Sequence, residues 1–180
     1  MLLIYGCSSN AYKRMSIENP EKLLSMQDSL LTIRKNDDSL LEALVVAHNR
    51  VAQKQIKQDD YVSAISHYKN ATKLNTADTV SRYGLLLAEG HELLKKGNKN
   101  GIWDGIEKYS KASTLYPQNG EPLYWIAIAY TKLGYKDFDL IIESYEKALS
   151  LELDRELRVE AGKKYKHAKK RKKNLDSFWR

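Results

Sequence analysis

Along most of the chain apolar residues recur at intervals of three and four, the spacing that sets side chains on one face of an α-helix. Three segments carry the pattern in one frame: "DDYVSAISHYKNATKLN" at 59–75, "GIWDGIEKYSKASTLYP" at 101–117 and "DFDLIIESYEKALSLEL" at 137–153. Each places a Tyr, an Ala three residues on and a Leu three further: Tyr68, Ala71, Leu74; Tyr109, Ala112, Leu115; Tyr145, Ala148, Leu151. A second amphipathic segment precedes each one, at 39–57, 79–96 and 121–133. Residues that cap or break helices mark the joints, at Asp37 to Ser39, Gly97 to Gly101, Pro117 to Gly120 and Gly134. The unit is therefore a helix hairpin, and its alanines stand 41 and 36 residues apart, within the range of stacked repeats.

The flanks are helical too. "NPEKLLSMQDSLLTIRK" at 19–35 opens with Asn19 as a cap and Pro20 at the first helical position, and predicts one more helix covering the first hairpin. After the repeats, Leu153, Leu157, Ala161, Tyr165, Ala168, Leu175 and Trp179 trace a stripe on a long terminal helix. Its first half is expected to close the row of hairpins. Its second half, "KKYKHAKKRKKN", is charged all round and is expected to project. The reading is all-α, a superhelical solenoid of helix hairpins with a long C-terminal capping helix. It divides the chain into a tether at 1–19, an extra helix plus three hairpins at 20–152, and a basic helix at 153–180.

The hairpins resemble the tetratricopeptide repeat. The third copy carries the likeness through Ile126, Ala127, Tyr130, Gly134, Tyr145 and Ala148, the first through Val51, Ala52, Tyr61, Ala64, Tyr68 and Ala71, and the second through Gly90, Gly97, Tyr109, Ala112 and Pro117. Copy two holds about three extra residues around "GNKNG", and copy three about two, so the register is good to a few residues. The resemblance implies a concave groove, lined by the first helices of the hairpins, that holds a peptide or helix of another protein. Carried over by alignment, its lining is Asn49, Gln53, Leu87, His91, Tyr124 and Ile128, with Lys57, Lys95 and Lys132 near one edge. The lysine and asparagine clamp that chaperone-binding members use for a C-terminal carboxylate is not evident.

Composition changes this picture little, and charge changes it more. An apolar fraction of 42% with 29% charged residues is that of a folded globular chain, and 180 residues suffice for one well-packed domain. The net charge of +7 is local, because residues 155–180 alone hold eleven Lys/Arg against Glu156, Glu160 and Asp176. Eight of these cations fall between 163 and 173: Lys163, Lys164, Lys166, Lys169, Lys170, Arg171, Lys172 and Lys173. They are expected to contact an anionic surface, with Phe178 and Trp179 beside them as side chains suited to a membrane interface. Without aromatics placed for base stacking, nucleic acid is the weaker partner.

Candidate chemistry is sparse. The histidines His48, His67, His91 and His167 sit in different helical segments, with no pair at a metal-ligand spacing. "GNKNG" lacks the G-K-[ST] sequence and the preceding strand of a phosphate loop and reads as a turn. The "NAT" sequon at 70–72 places Ala71 on a packing position, which argues against glycosylation. No nucleophile, base and acid arrangement stands out. The expectation is a protein without catalytic activity, cofactor, metal or small-molecule substrate.

The one cysteine, Cys7, excludes an internal disulfide. It closes "LIYGC", which resembles the lipobox of bacterial lipoproteins, with Leu3 or Ile4, Gly6 and Cys7 in the matching places. The resemblance implies acylation of Cys7, with palmitate among the chains, behind a signal peptide, and a hydrophilic tether in "SSNAYKR". Only five residues precede Gly6, against the 7 to 15 apolar residues of such a signal, so the reading needs a start upstream of Met1; otherwise the match is accidental. The expected function is a non-catalytic interaction scaffold, lipid-anchored in a bacterial cell envelope. The alternative is a cytoplasmic nucleic-acid- or ribosome-associated protein acting through its basic terminal helix.

Overall fold

The computed structural model describes residues 5–134 and 137–178, with side chains from Asn10 onward. Among them the chain is all-helical: α1 (Tyr5–Glu18), α2 (Pro20–Ser25), α3 (Gln27–Ile33), α4 (Asp38–Ile56), α5 (Tyr61–Leu74), α6 (Thr79–Lys96), α7 (Lys99–Leu115), α8 (Glu121–Leu133), α9 (Phe138–Ser150) and α10 (Arg155–Phe178). Helices adjacent in sequence pack on one another, α4 on α5, α7 on α8, α8 on α9 and α9 on α10. α4, α5 and α7 start where a side-chain acceptor is available for an orphan N–H. Asp37, Asp60 and Asn98 accept from the amides of Leu40, Ser63 and Gly101 at 3.1, 3.2 and 2.7 Å.

The turns repeat a backbone device. Among the described residues φ is positive at three positions, Asp59 (57°), Gly97 (72°) and Gly134 (111°), and each ends a first helix seven residues after a small one, Ala52, Gly90 and Ala127. A left-handed residue there turns the chain back so that the second helix can reach the small residue. In the middle copy the approach is close enough that a Cβ on Gly90 would come within 2.5 Å of the Tyr109 ring. Tyr68, Tyr109 and Tyr145 are all buried, and so are Ala71, Ala112 and Ala148.

The chain forms two compact units, Met1–Ala88 and Glu89–Arg180. In the first, Leu23, Leu40, Ala43, Leu44 and Ala47 make one core, which Tyr12, Met15, Leu30 and Leu31 cover. Ala52, Ala64, Tyr68 and Ala88 make another. The expected extra helix at 19–35 is two short ones broken at Met26, and Asn19 precedes Pro20 without a side-chain capping bond. The expected tether is corrected over 10–18, which are the helical end of α1 with Tyr12 and Met15 set on that core.

In the second unit Tyr124, Ala127, Ile141, Tyr145, Ala148, Ala161 and Ala168 form the core, with Leu153, Leu157 and Tyr165 against it. The expectation that the second half of α10 projects is corrected here. The Arg158 guanidinium donates to the carbonyls of Leu149 and Leu151 at 2.8 and 2.7 Å. Fourteen residues on, the Lys172 ammonium pairs with Asp139 at the start of α9. α10 therefore runs antiparallel down α9. Ala168 permits close approach, and the stem of Lys172 carries its charge past apolar surface to a carboxylate.

Candidate functional site

The expected groove row falls in both units, Asn49, Gln53 and Leu87 in the first and His91, Tyr124 and Ile128 in the second. Four of the six are inside: Asn49 and Leu87 are 7% exposed, His91 4% and Tyr124 2%. This corrects the assignment of Leu87, His91 and Tyr124 as groove-facing, while Asn49, held by its side-chain bonds, still lines a cleft along α4. The Asn49 amide donates to Asp78 Oδ2 at 3.2 Å, and its Oδ1 lies 2.8 Å from the Ser81 hydroxyl. Asp78 in turn accepts from the Ser81 amide at 2.7 Å, so Asn49 fastens the cap that starts α6. His91 Nδ1 meets the Tyr109 hydroxyl at 2.9 Å, with the Trp125 ring edge-on at 4.5 Å. The Tyr124 phenol donates to Glu160; burial first, and then this bond, hold its pKa above the usual range. Ile128 is half-buried beside the α8–α9 core.

Gln53 is exposed and does line a cleft, of about 690 Å³, along the outer face of α4. The helix contributes Leu41, Glu42, Val45, Val46, Asn49, Arg50 and Gln53, and Leu74, Asn75, Asp78 and Val80 close the far side. Glu42, Val46, Asn49, Arg50 and Gln53 follow each other at helical spacing, opposite the buried stripe of Leu40, Leu44, Ala47 and Val51. Val46 is half-buried and Val80 43% exposed, so the cleft keeps apolar surface in contact with solvent between one cation, Arg50, and the carboxylates of Glu42 and Asp38. Such a lining can hold an extended or helical peptide by apolar contact, with amide and charged groups setting register.

On the inner side of α4, His48 Nδ1 faces His67 Nδ1 at 2.8 Å, and His48 Nε2 faces Gln27 Oε1 at 2.8 Å. The arrangement is satisfied with both rings neutral, His48 donating from Nε2 to the amide oxygen and accepting from His67 at Nδ1. Burial, and after it the neighbouring His67, push the His48 pKa down to about 4. Burial also lowers that of His67, with the Glu21 carboxylate opposing. The sequence reading missed this pair because the two rings lie nineteen residues apart on separate helices. Among the described residues no three His, Cys, Asp or Glu side chains come together as metal ligands.

The eight tail cations divide by environment. Lys164 and Lys172 are half-buried and paired with Glu160 and Asp139, and Lys169 stands 5.2 Å over the Tyr165 ring. Lys163, Lys166, Lys170, Arg171 and Lys173 are exposed. Lys132, expected at the groove edge, donates to the Leu94 carbonyl at 3.2 Å, while Lys57 and Lys95 are exposed. Cys7 falls in the first turn of α1, with its side chain outside the described residues. No helix among the described residues is long and apolar enough to cross a membrane. No protein-family model matches the chain, and a search of curated proteins finds no match.

Proposed function

We propose that the chain is a non-catalytic scaffold of tetratricopeptide-like hairpins that holds a peptide or helix of another protein in the cleft along α4. The cleft carries the proposal: an open channel with solvent-facing Val46 and Val80, rimmed by Arg50, Glu42 and Gln53, on a helix capped by Asp37 and fastened through Asn49. The tetratricopeptide likeness is supported by the recurring small residue, positive-φ turn, Tyr and Ala of the three copies.

Photo-crosslinking in the source cell tests the reading, with the reactive group at position 46 or 53 and, as control, at Val62, which is exposed on α5. One partner captured from both cleft positions, absent at Val62 and lost when Arg50→Glu is added, is the expected result. Equal patterns from the cleft and from Val62 would remove the cleft assignment.

Attachment to a bacterial envelope membrane through Cys7 belongs to the same proposal and is supported by the likeness of "LIYGC" to a lipobox. The mass of the native N-terminal peptide decides it. A diacyl or triacyl adduct on Cys7 supports the anchor, and an unmodified peptide reading through Cys7 ends it.

A further inference from the structure

Packing of α10 on α9 sorts its cations into those with partners inside the unit and those without. Lys164 and Lys172 are tied to Glu160 and Asp139 on the flanks. Lys163, Lys166, Lys170 and Lys173 lie on the side turned away from Ala161 and Ala168, exposed and, among the described residues, with no carboxylate within ion-pair distance. Their spacing of three, four and three sets them within an arc of about 80°, over a rise of about 15 Å. Val159, 54% exposed, shares the arc. The three acids of the helix fall outside it, and Glu160 is engaged with Lys164 and the Tyr124 phenol.

We infer that this face docks α10 lengthwise on an anionic lipid bilayer, with the four ammonium groups among the headgroups and Val159 against the interface. Three features fit that occupant. The charges lie in a straight row on a helix whose other side is fastened to α9, so a plane can meet all four at once. Lysine ammonium groups are compact point charges suited to a diffuse anionic surface, whereas nucleic-acid grooves favour the guanidinium fork and stacking rings. Between Lys163 and Lys173 the arc contains neither, and the guanidinium in line with it, Arg155, stands at the start of the helix: Arg171 lines a separate cleft with Phe138 and Leu175, and Tyr165 is directed at α9. Within the arc Val159, 54% exposed, adds an apolar side chain for the interface, whereas Phe178 lies outside it on the cleft of Arg171 and Leu175.

The test is co-sedimentation of the full, unacylated chain with vesicles of phosphatidylcholine alone and of phosphatidylcholine with phosphatidylglycerol in equal parts, so that Cys7 plays no role. Lys163→Gln, Lys166→Gln, Lys170→Gln and Lys173→Gln are combined in one variant. A control carries the same charge loss at Lys57→Gln, Lys69→Gln, Lys73→Gln and Lys99→Gln, all exposed elsewhere. The wild type and the control should bind the anionic vesicles and not the neutral ones. The row variant should lose roughly a hundredfold or more in partitioning, since each lysine near an anionic surface is worth roughly fivefold. Its circular dichroism should stay that of the wild type, because the four side chains hold nothing inside. Equal losses in both variants, or no preference for anionic vesicles, would overturn the inference. Tighter binding to a duplex oligonucleotide, lost in the row variant, would reassign the face to nucleic acid.

Discussion

The hairpins α4–α5 and α8–α9 share one frame and fill it with different chemistry. Both have a small residue on the first helix, a left-handed turn, then a buried Tyr and Ala on the second: Ala52, Asp59, Tyr68 and Ala71 in one, Ala127, Gly134, Tyr145 and Ala148 in the other. Next to that frame α4 places His48, bonded to His67 and Gln27. In the other hairpin α8 places Tyr124, whose ring meets Tyr145 at 6.1 Å and Trp125 edge-on at 5.1 Å. The frame is therefore a demand of backbone geometry, which any small residue and any large ring can meet, while the space around it accepts a titratable pair or an aromatic cluster. One consequence is that the two hairpins answer pH differently.

Removing the frame should do the most damage. Tyr145→Ala empties a site that is 1% exposed and walled by Tyr124, Ile141 and Ala161, and should cost about 3–5 kcal/mol in chemical denaturation. Tyr145→Phe keeps the ring and should cost about 1 kcal/mol or less. If Tyr145→Ala costs no more than Tyr145→Phe, the ring is not what joins the two helices and the shared frame loses its meaning.

The difference in filling comes next. His48 titrates near pH 4 in the folded chain, against about 6.5 when unfolded. Between those values the unfolded state binds a proton that the folded state does not, so stability is full above about pH 6.5 and falls as pH drops toward 4. The loss should be about 2–3 kcal/mol. Thermal melts at pH 7 and pH 4.5 check it: His48→Gln should be less stable at pH 7 but should lose clearly less between the two pH values. Identical losses in wild type and variant would move the pH response to other groups.

Most of the helical frame was legible, because it is written in periodicity and in caps. The expected segments at 39–57, 79–96 and 121–133 are α4, α6 and α8 to within a residue, with Asp37 and Gly134 at the joints where their side-chain chemistry placed them. α1 was not legible. "SSNAYKR" is rich in Ser and Asn, which compete with the helix for backbone hydrogen bonds, and what holds it is contact of Tyr12 and Met15 with residues beyond Leu23. The run of α10 along α9 was not legible because the second half of the helix is charged all round, and only the pairing with Asp139 makes Lys172, in the gap of the apolar stripe between Ala168 and Leu175, a fastening. The groove row failed for a related reason. His91 reads as polar surface until Tyr109 is seen to bond it inside, and of the row only Asn49 and Gln53 line the cleft along α4, whose other residues, Glu42, Val46 and Arg50, carry no special residue type to mark them.

The smallest expected effect sharpens the comparison at the turns. Gly134, at φ 111°, has nothing within 4 Å of an added Cβ, so Gly134→Ala tests backbone strain without a clash. That conformation is nearly closed to residues with a Cβ, and the substitution should cost about 1–2 kcal/mol. Asp59 at φ 57° sits in the left-handed region that Asp tolerates, and its carboxylate accepts from the Tyr61 hydroxyl at 2.6 Å. In Asp59→Gly the relief of strain and the loss of that exposed bond oppose each other, and the net change should stay within about 0.5 kcal/mol. Urea midpoints of the two variants measure both. A cost at Asp59→Gly as large as that at Gly134→Ala would mean that the first turn is held by its side chain, and that the two hairpins share a shape without sharing its cause.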